Sequence, residues 1–315
     1  NKWIFKVKKN GVFRARLVAC GYSQVPGIDF TESFAPVLND VSFRLMLIAK
    51  LVWDMTSTVV DIETAFLHGD LDEEIYMNVP MGLSTGPNKK LLLRKTIYGL
   101  VQSARKFYEK LIEVLKVIGF EGSKSDPCLW TMWDSVVNHM LIVGIYVDDC
   151  LVVGKEELIQ EVIGGLKASG FNLKIESSLK DYLSCRIIED SDSKSILILQ
   201  PHLINNLEAK FGREVCSKRV YKTPGTPRFK IVRPADDDDV IDAALQGRYR
   251  SAVGMLLYLT KYSCPDLCNV VRELAKCMDR ATKGTYLEML KVVKFVFKGK
   301  NWSLQVLCDS DLPGD

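Results

Sequence analysis

From Trp3 onward the chain alternates apolar and polar residues with a period of two, in Trp3-Ile4-Phe5-Lys6-Val7-Lys8 and again from Val12 to Val18. This period predicts two strands, and Asn10-Gly11 between them is a hairpin turn signal. A helix is expected from Ser42 to Val52. Thr58-Val59-Val60-Asp61-Ile62 is a short β-branched run, expected as a strand that hands over to Glu63-Thr64-Ala65-Phe66-Leu67. From Ser103 onward Phe107, Leu111, Val114, Leu115 and Ile118 recur at helical spacing, and Gly119 supplies a stop. Met140 to Tyr146 and Cys150 to Val153 are two apolar runs around Val147-Asp148-Asp149, the pattern of a buried β-hairpin with an acidic tip.

Residues 155–200 read as another helix and a second hairpin, with Glu189-Asp190-Ser191-Asp192-Ser193 as its turn. The stretch 201–234 is rich in Lys and Arg, carries Pro224, Pro227 and Pro234, and reads as loop-like; Asp236 to Asp239 follow as a solvated acidic run. From Tyr249 to Lys298 the pattern is helical. Pro265 stands at a helix start, and a last helix carrying Met289, Leu290, Val293, Val296 and Phe297 is closed by Gly299. A strand-rich half followed by a helical half indicates an α+β protein of two or three lobes.

Composition adds little to this picture. Hydrophobic residues make up 47% and charged residues 26%, ordinary for a globular chain, and the net charge of +3 demands no polyanionic partner by itself. Any nucleic-acid footprint has to come from local patches. The nine cysteines show no Cys-x-x-Cys pair and the three histidines stand far apart, which argues against a zinc site and for reduced core thiols. No apolar run reaches the roughly 18 residues that span a bilayer, so no membrane partner is expected. The chain opens at Asn1 and stops where a new motif begins, so it is expected to be a fragment of something longer.

Candidate chemistry rests on three aspartates set among apolar strands: Asp61, Asp148 and Asp149. A carboxylate beside a buried strand is costly to desolvate unless a cation or donor compensates it. Oxygen-rich sets of this kind suit Mg²⁺ or Mn²⁺, which bind through one or two carboxylates plus substrate phosphates. Two such ions serve nucleotidyl transfer. The plainer alternative is that Asp148-Asp149 only caps a turn.

The wider text decides between these. Tyr146-Val147-Asp148-Asp149 matches the polymerase signature of reverse transcriptases, and the flanking segments resemble the copia-type (Pseudoviridae) LTR-retrotransposon family. Arg14-Ala15-Arg16-Leu17-Val18-Ala19-Cys20-Gly21-Tyr22-Ser23-Gln24 is similar to the family's "KARLVAKGYTQ", and Val60-Asp61-Ile62-Glu63-Thr64-Ala65-Phe66-Leu67-His68-Gly69 to "VDVKTAFLNG". Ile75-Tyr76-Met77 with Pro80 and Gly82 resembles "VYMEQPEGF", Ile97-Tyr98-Gly99-Leu100 with Gln102 and Arg105 resembles "LYGLKQAPR", and Lys124-Ser125-Asp126-Pro127-Cys128-Leu129 resembles "SKSDPCLF". The resemblance runs through the whole chain.

It implies an RNA-directed DNA polymerase with the right-hand fold of fingers, palm with an antiparallel sheet, and helical thumb. Residues 1–155 would be fingers and palm, 156–200 the rest of the palm with a primer-gripping hairpin around Asp181-Tyr182-Leu183 and Ile196-Leu197-Ile198, 201–300 the thumb and connection helices, and 301–315 the first strand of a truncated ribonuclease H domain with Asp309 as its first ligand. Asp61 and Asp148 would hold two Mg²⁺ or Mn²⁺ ions, with Asp149 completing the cluster. Phe66 would exclude the ribose 2′-hydroxyl, or else simply pack in the core. Arg14 and Arg16 would meet the incoming triphosphate, and Gly99 and Gln102 would lie beneath the nascent base pair. The partners implied are an RNA or DNA template with its primer, dNTPs, and the remainder of a Pol polyprotein, with its integrase and ribonuclease H; the compartment implied is the cytoplasmic virus-like particle.

Three departures from the family stand out, one of them a shortened fingers hairpin at Asn10-Gly11. Val101-Gln102-Ser103-Ala104-Arg105 replaces Lys-Gln-Ala-Pro-Arg, and Ser184 stands where a glycine is usual. They leave open a copy that binds nucleic acid without polymerising. A palm-fold nucleotide cyclase would share the acidic cluster but not the primer-handling segments.

Overall fold

A computed structural model describes residues 1–7, 11–84, 86, 88–177, 179–190, 194–215, 221–231, 239–299 and 303–307. The chain forms two compact units, Asn1–Ser178 and Leu179–Asp315. This division differs from the boundaries after 155 and 200 read from the sequence, because the hairpin after Ser178 joins the helices that follow it.

In the first unit, strands β1 (Lys2–Val7) and β2 (Phe13–Val18) pair as the expected hairpin; Asn10 of its turn lies outside the described residues. Helix α1 spans Asp40–Val52, two residues earlier than its apolar pattern indicates. Then come β3 (Thr56–Ile62), β4 (Tyr76–Asn78), β5 (Lys90–Leu92), α2 (Ser103–Ile118), β6 (Glu121–Gly122), β7 (Leu129–Asp134), β8 (His139–Tyr146), β9 (Asp149–Gly154), α3 (Glu156–Ala168) and β10 (Leu173–Glu176). Six of these strands form one antiparallel sheet in the order β10-β3-β9-β8-β7-β6. Its centre is dry: Val60, Leu141, Leu151, Val152 and Val153 are fully buried. Helix α1 packs on β8 and β9, while α3 packs on β3 and β9 and meets α2. The approach of α1 is close enough that a Cβ at Gly144 would sit 2.7 Å from Met46 Sδ.

In the second unit, β11 (Asp181–Tyr182), β12 (Cys185–Asp190), β13 (Ser195–Leu199) and β14 (Leu304–Leu307) form a four-stranded antiparallel sheet in that order. Residues 191–193 of the expected turn lie outside the described residues, as do 216–220 and 232–234 of the basic stretch and most of the acidic run. Strand β14, part of the segment read as the opening strand of another domain, is the outer partner of β13 and satisfies an edge that would otherwise be open; Asp309 and the rest of that motif lie outside the described residues. Helices α4 (Pro201–Phe211), α5 (Ala243–Tyr262), α6 (Cys268–Ala275) and α7 (Lys283–Lys298) share a core around Leu207, Tyr249, Leu256, Val271 and Met289. Helix α4 corrects the loop-like reading of 201–234. Proline at its first turn fits a helix start, and Ile204, Leu207 and Phe211 make its buried stripe, a period that the many surrounding cations obscured. Among the described residues no helix is long and apolar enough to cross a membrane.

The β11–β12 connection is two residues long, since Tyr182 pairs with Cys185, and both residues are left-handed: Leu183 at φ +50° and Ser184 at +58°. This is the backbone of a type I′ hairpin, which favours glycine or asparagine. Ser184→Gly is therefore expected to stabilise the second unit by about 1 kcal/mol, because left-handed backbone costs a residue with a Cβ on that order. A raised urea midpoint with unchanged slope would bear this out; an unchanged midpoint would not.

Candidate active site

Strand β3 places Asp61 directly opposite Asp149 at the start of β9. The Ile62 N–H donates to the Asp148 carbonyl at 2.9 Å, closing the same corner. Tyr146 pairs with Asp149, so Val147 and Asp148 are the two residues of a tight hairpin turn. Val147 takes φ +57° whereas Asp148 is not among the positive-φ residues. Glycine usually fills that first turn position, and a β-branched side chain there is strained by roughly 1–3 kcal/mol. The sheet thus brings all three predicted aspartates to one edge, each only partly buried.

Their electrostatics follow from that crowding. Burial first, then the charges of Asp148 and Asp61, push the Asp149 carboxyl up to about 6. Asp61 is raised by burial and by Asp148, and Lys174, its neighbour across β10, opposes the rise. That lysine also pairs with Glu176.

The other predicted residues lie along a second seam. The Arg16 guanidinium stacks 4.7 Å from the centre of the Tyr98 ring, and Tyr98 meets the edge of Phe66 at 5.0 Å. Phe66 also touches Phe107 at 6.4 Å, so its ring is partly held by the core while remaining half-exposed. The Thr96 hydroxyl donates to the Phe66 carbonyl. Arg14 is exposed on β2, opposite Lys6.

Gly99 and Gln102 have structural work of their own. Gly99 sits at φ +92°, and a Cβ there would lie 2.3 Å from the Ala19 carbonyl oxygen. That close approach exists because Ala19 N–H donates to Tyr98 O at 2.7 Å and Gly21 N–H to Gly99 O at 3.0 Å. Gln102 is 1% exposed. Its amide donates to Asp29 O at 2.9 Å and accepts from Gln24 Nε2 at 3.0 Å, while Gln24 Oε1 accepts from Val101 N–H at 2.8 Å. Gln102 fastens the 20s loop to the start of α2, with both ends of its amide engaged by protein partners. The departure from the family at Ser103 is absorbed here, since its hydroxyl donates to Ile97 O at 2.6 Å. Sequence reasoning named Arg105 only as part of a motif; it bridges Glu32 at 2.6 Å and Glu109 at 2.9 Å.

Residues 1–224 match the model of the family described as reverse transcriptase (RNA-dependent DNA polymerase). The chain belongs to the reverse transcriptase family. It is 31% identical over its whole length to the retrovirus-related Pol polyprotein from transposon TNT 1-94 of Nicotiana tabacum, covering 25% of that protein. It is 29% identical, again over its whole length, to the Pol polyprotein from transposon RE1 of Arabidopsis thaliana, covering 22%. The chain thus spans about a quarter of the length of these curated relatives. A solved foamy viral protease–reverse transcriptase in complex with double-stranded DNA aligns over 92% of this chain and 43% of its own, at 11% identity and a TM-score of 0.45.

Among the described residues of this chain, no three His, Cys, Asp or Glu side chains form a ready-made cage for a metal ion. The acidic edge is an open set of oxygens, and the donor chemistry fits Mg²⁺, which takes one or two carboxylates and fills its remaining positions with water and phosphate oxygens.

A pH dependence follows. A carboxyl whose pKa rises on folding stabilises the fold fully only below its ordinary value, and this contribution is lost as pH rises through about 6 for Asp149. At pH 7–8 and without divalent ions, Asp149→Asn is therefore expected to melt a few degrees above the wild type, with the two converging near pH 4. Differential scanning calorimetry across this range is the check; a lower melting temperature for the variant at pH 8 would reverse the sign argued here.

Proposed function

We propose that this chain is the RNA-directed DNA polymerase portion of a copia-type retrotransposon Pol polyprotein, extending a primer on an RNA or DNA template with dNTPs. The observation that carries the reading is the acidic edge, where Asp61, Asp148 and Asp149 converge on a strained hairpin tip. The family match and the Pol relatives support it. In this reading the six-stranded sheet is the palm, the β1–β2 hairpin belongs to the fingers, the β11–β12–β13 strands hold the primer end, and the helices of the second unit form the thumb.

Asp61 and Asp148 would hold two Mg²⁺ or Mn²⁺ ions, with Asp149 beside them. Bound there, such ions supply Lewis acidity toward the reacting oxygens. The primer 3′-oxygen forms a bond to the α-phosphorus of the dNTP as the bond to pyrophosphate breaks, and the hydroxyl proton is released. Arg14 and Arg16 supply positive charge for the triphosphate, where a guanidinium fork suits phosphate geometry. Phe66 leaves no room for a 2′-hydroxyl, its ring fixed by Tyr98 and Phe107. The rest of the polyprotein would contribute integrase and ribonuclease H, and the compartment would be a cytoplasmic virus-like particle.

Primer extension on poly(rA)–oligo(dT) with dTTP and Mg²⁺ or Mn²⁺ tests the reading. The wild type is expected to extend, and Asp148→Asn to lose about 100-fold or more, the scale of removing one electrostatic contributor to a transition state. A folded, template-binding wild type that does not extend would refute polymerase activity in this chain. Phe66→Val is expected to narrow the preference for dTTP over UTP while sparing dTTP use, measured as the ratio of kcat/KM for the two; an unchanged ratio would assign Phe66 to packing alone.

A further inference from the structure

Asp126 takes no part in the chemistry above, yet it is 2% exposed just before β7. A carboxyl group buried this deeply is costly unless donors face it. Two backbone donors do: Cys128 N–H reaches Oδ1 at 2.9 Å, and Asn39 N–H reaches Oδ2 at 3.0 Å. These donors belong to segments nearly ninety residues apart in sequence, the entry to α1 and the entry to β7.

Both segments grip the same residue of β8. Leu38 N–H donates to Ile145 O at 3.0 Å, and Ile145 N–H donates to Cys128 O at 2.8 Å. Ile145 is fully bonded by its main chain to the two segments that Asp126 ties together, and it immediately precedes Tyr146, where the turn carrying Val147 and Asp148 begins. Packing reinforces the clasp, since Leu38 Cδ2 would lie 2.8 Å from a Cβ at Gly144. A turn strained at Val147 keeps its shape only where its surroundings over-determine it.

We propose that Asp126 is a positioning residue for the acidic edge: by clasping Asn39 and Cys128 it fixes the end of β8, and so sets where Asp148 and Asp149 stand to receive a divalent cation. The proposal rests on the polymerase reading and deepens it. Asp126 acts only through the backbone of Ile145.

Three variants of the full chain separate positioning from mere stability. Asp126→Ala removes both acceptors. Asp126→Asn keeps the shape but turns an amide N–H toward one donor. Asn39→Pro deletes one donor and leaves Asp126 untouched, and Asn39 already has φ −68°, the value that proline imposes. Mn²⁺ affinity is read by electron paramagnetic resonance titration, beside thermal melting, and single-nucleotide extension gives kcat and KM for primer–template. Working well below the melting temperature, we expect Asp126→Ala to weaken Mn²⁺ binding about 10-fold, as loss of a group that orients metal ligands does, with Asn39→Pro weakening it less. The drop in kcat should follow while KM for primer–template stays, and Asp126→Ala combined with Asn39→Pro should be no worse than Asp126→Ala alone, because both loosen one clasp. Unchanged Mn²⁺ affinity in folded variants overturns the proposal. So does a loss that only tracks the unfolded fraction, or a folded wild type that binds no Mn²⁺. A wild type that binds Mn²⁺ without extending a primer refutes the polymerase reading, while the titration still decides the role of Asp126.

Discussion

Like charges directly opposite one another on neighbouring strands repel, and the β3–β9 register sets Asp61 against Asp149 with Asp148 one residue away. The first unit is arranged around holding this pair in place. Strands β8 and β9 are buried almost throughout, with both α1 and α3 packed on β9, so close packing around them holds the register. The cost of crowded carboxylates is thus set against the larger burial of Leu141, Val143, Leu151 and Val153. The raised carboxyl of Asp149 is the residue of that compromise.

A second constraint governs the seam beside the acidic edge. The segments 19–21 and 98–99 approach backbone to backbone, closely enough that only glycine is accommodated at position 99. Gln24 and Gln102 bond across this seam, Ser103 bonds back to Ile97 on its own side, and Arg105 draws Glu32 against α2. The result is a braced wall for Tyr98, on which Arg16 and Phe66 both rest. The residues singled out in the sequence are thus placed differently: Arg14 is exposed and Arg16 and Phe66 are partly exposed, whereas Gly99 and Gln102 shape the wall behind them. A motif marks the positions that matter without saying which of these two duties each one performs.

The chain's own pattern determined much of this. Period-two alternation located the β1–β2 hairpin, the recurrence of Phe107, Leu111 and Leu115 located α2, and apolar runs around Val147-Asp148-Asp149 located the hairpin with its acidic tip. These features are local: each is written in residues adjacent along the chain or one helical turn apart, and burial of one face enforces them wherever the segment ends up. Tertiary structure alone decided the rest. That Asp61 meets Asp149 depends on β3 pairing with β9 across almost ninety residues. That Asp126 clasps Asn39, that Gln102 turns inward, and that β14 closes the sheet beside β13 depend equally on partners distant in sequence. No periodicity encodes such meetings, because a hydrogen bond or a like-charge contact needs two specific atoms at one distance, and only the packed chain fixes which two arrive there.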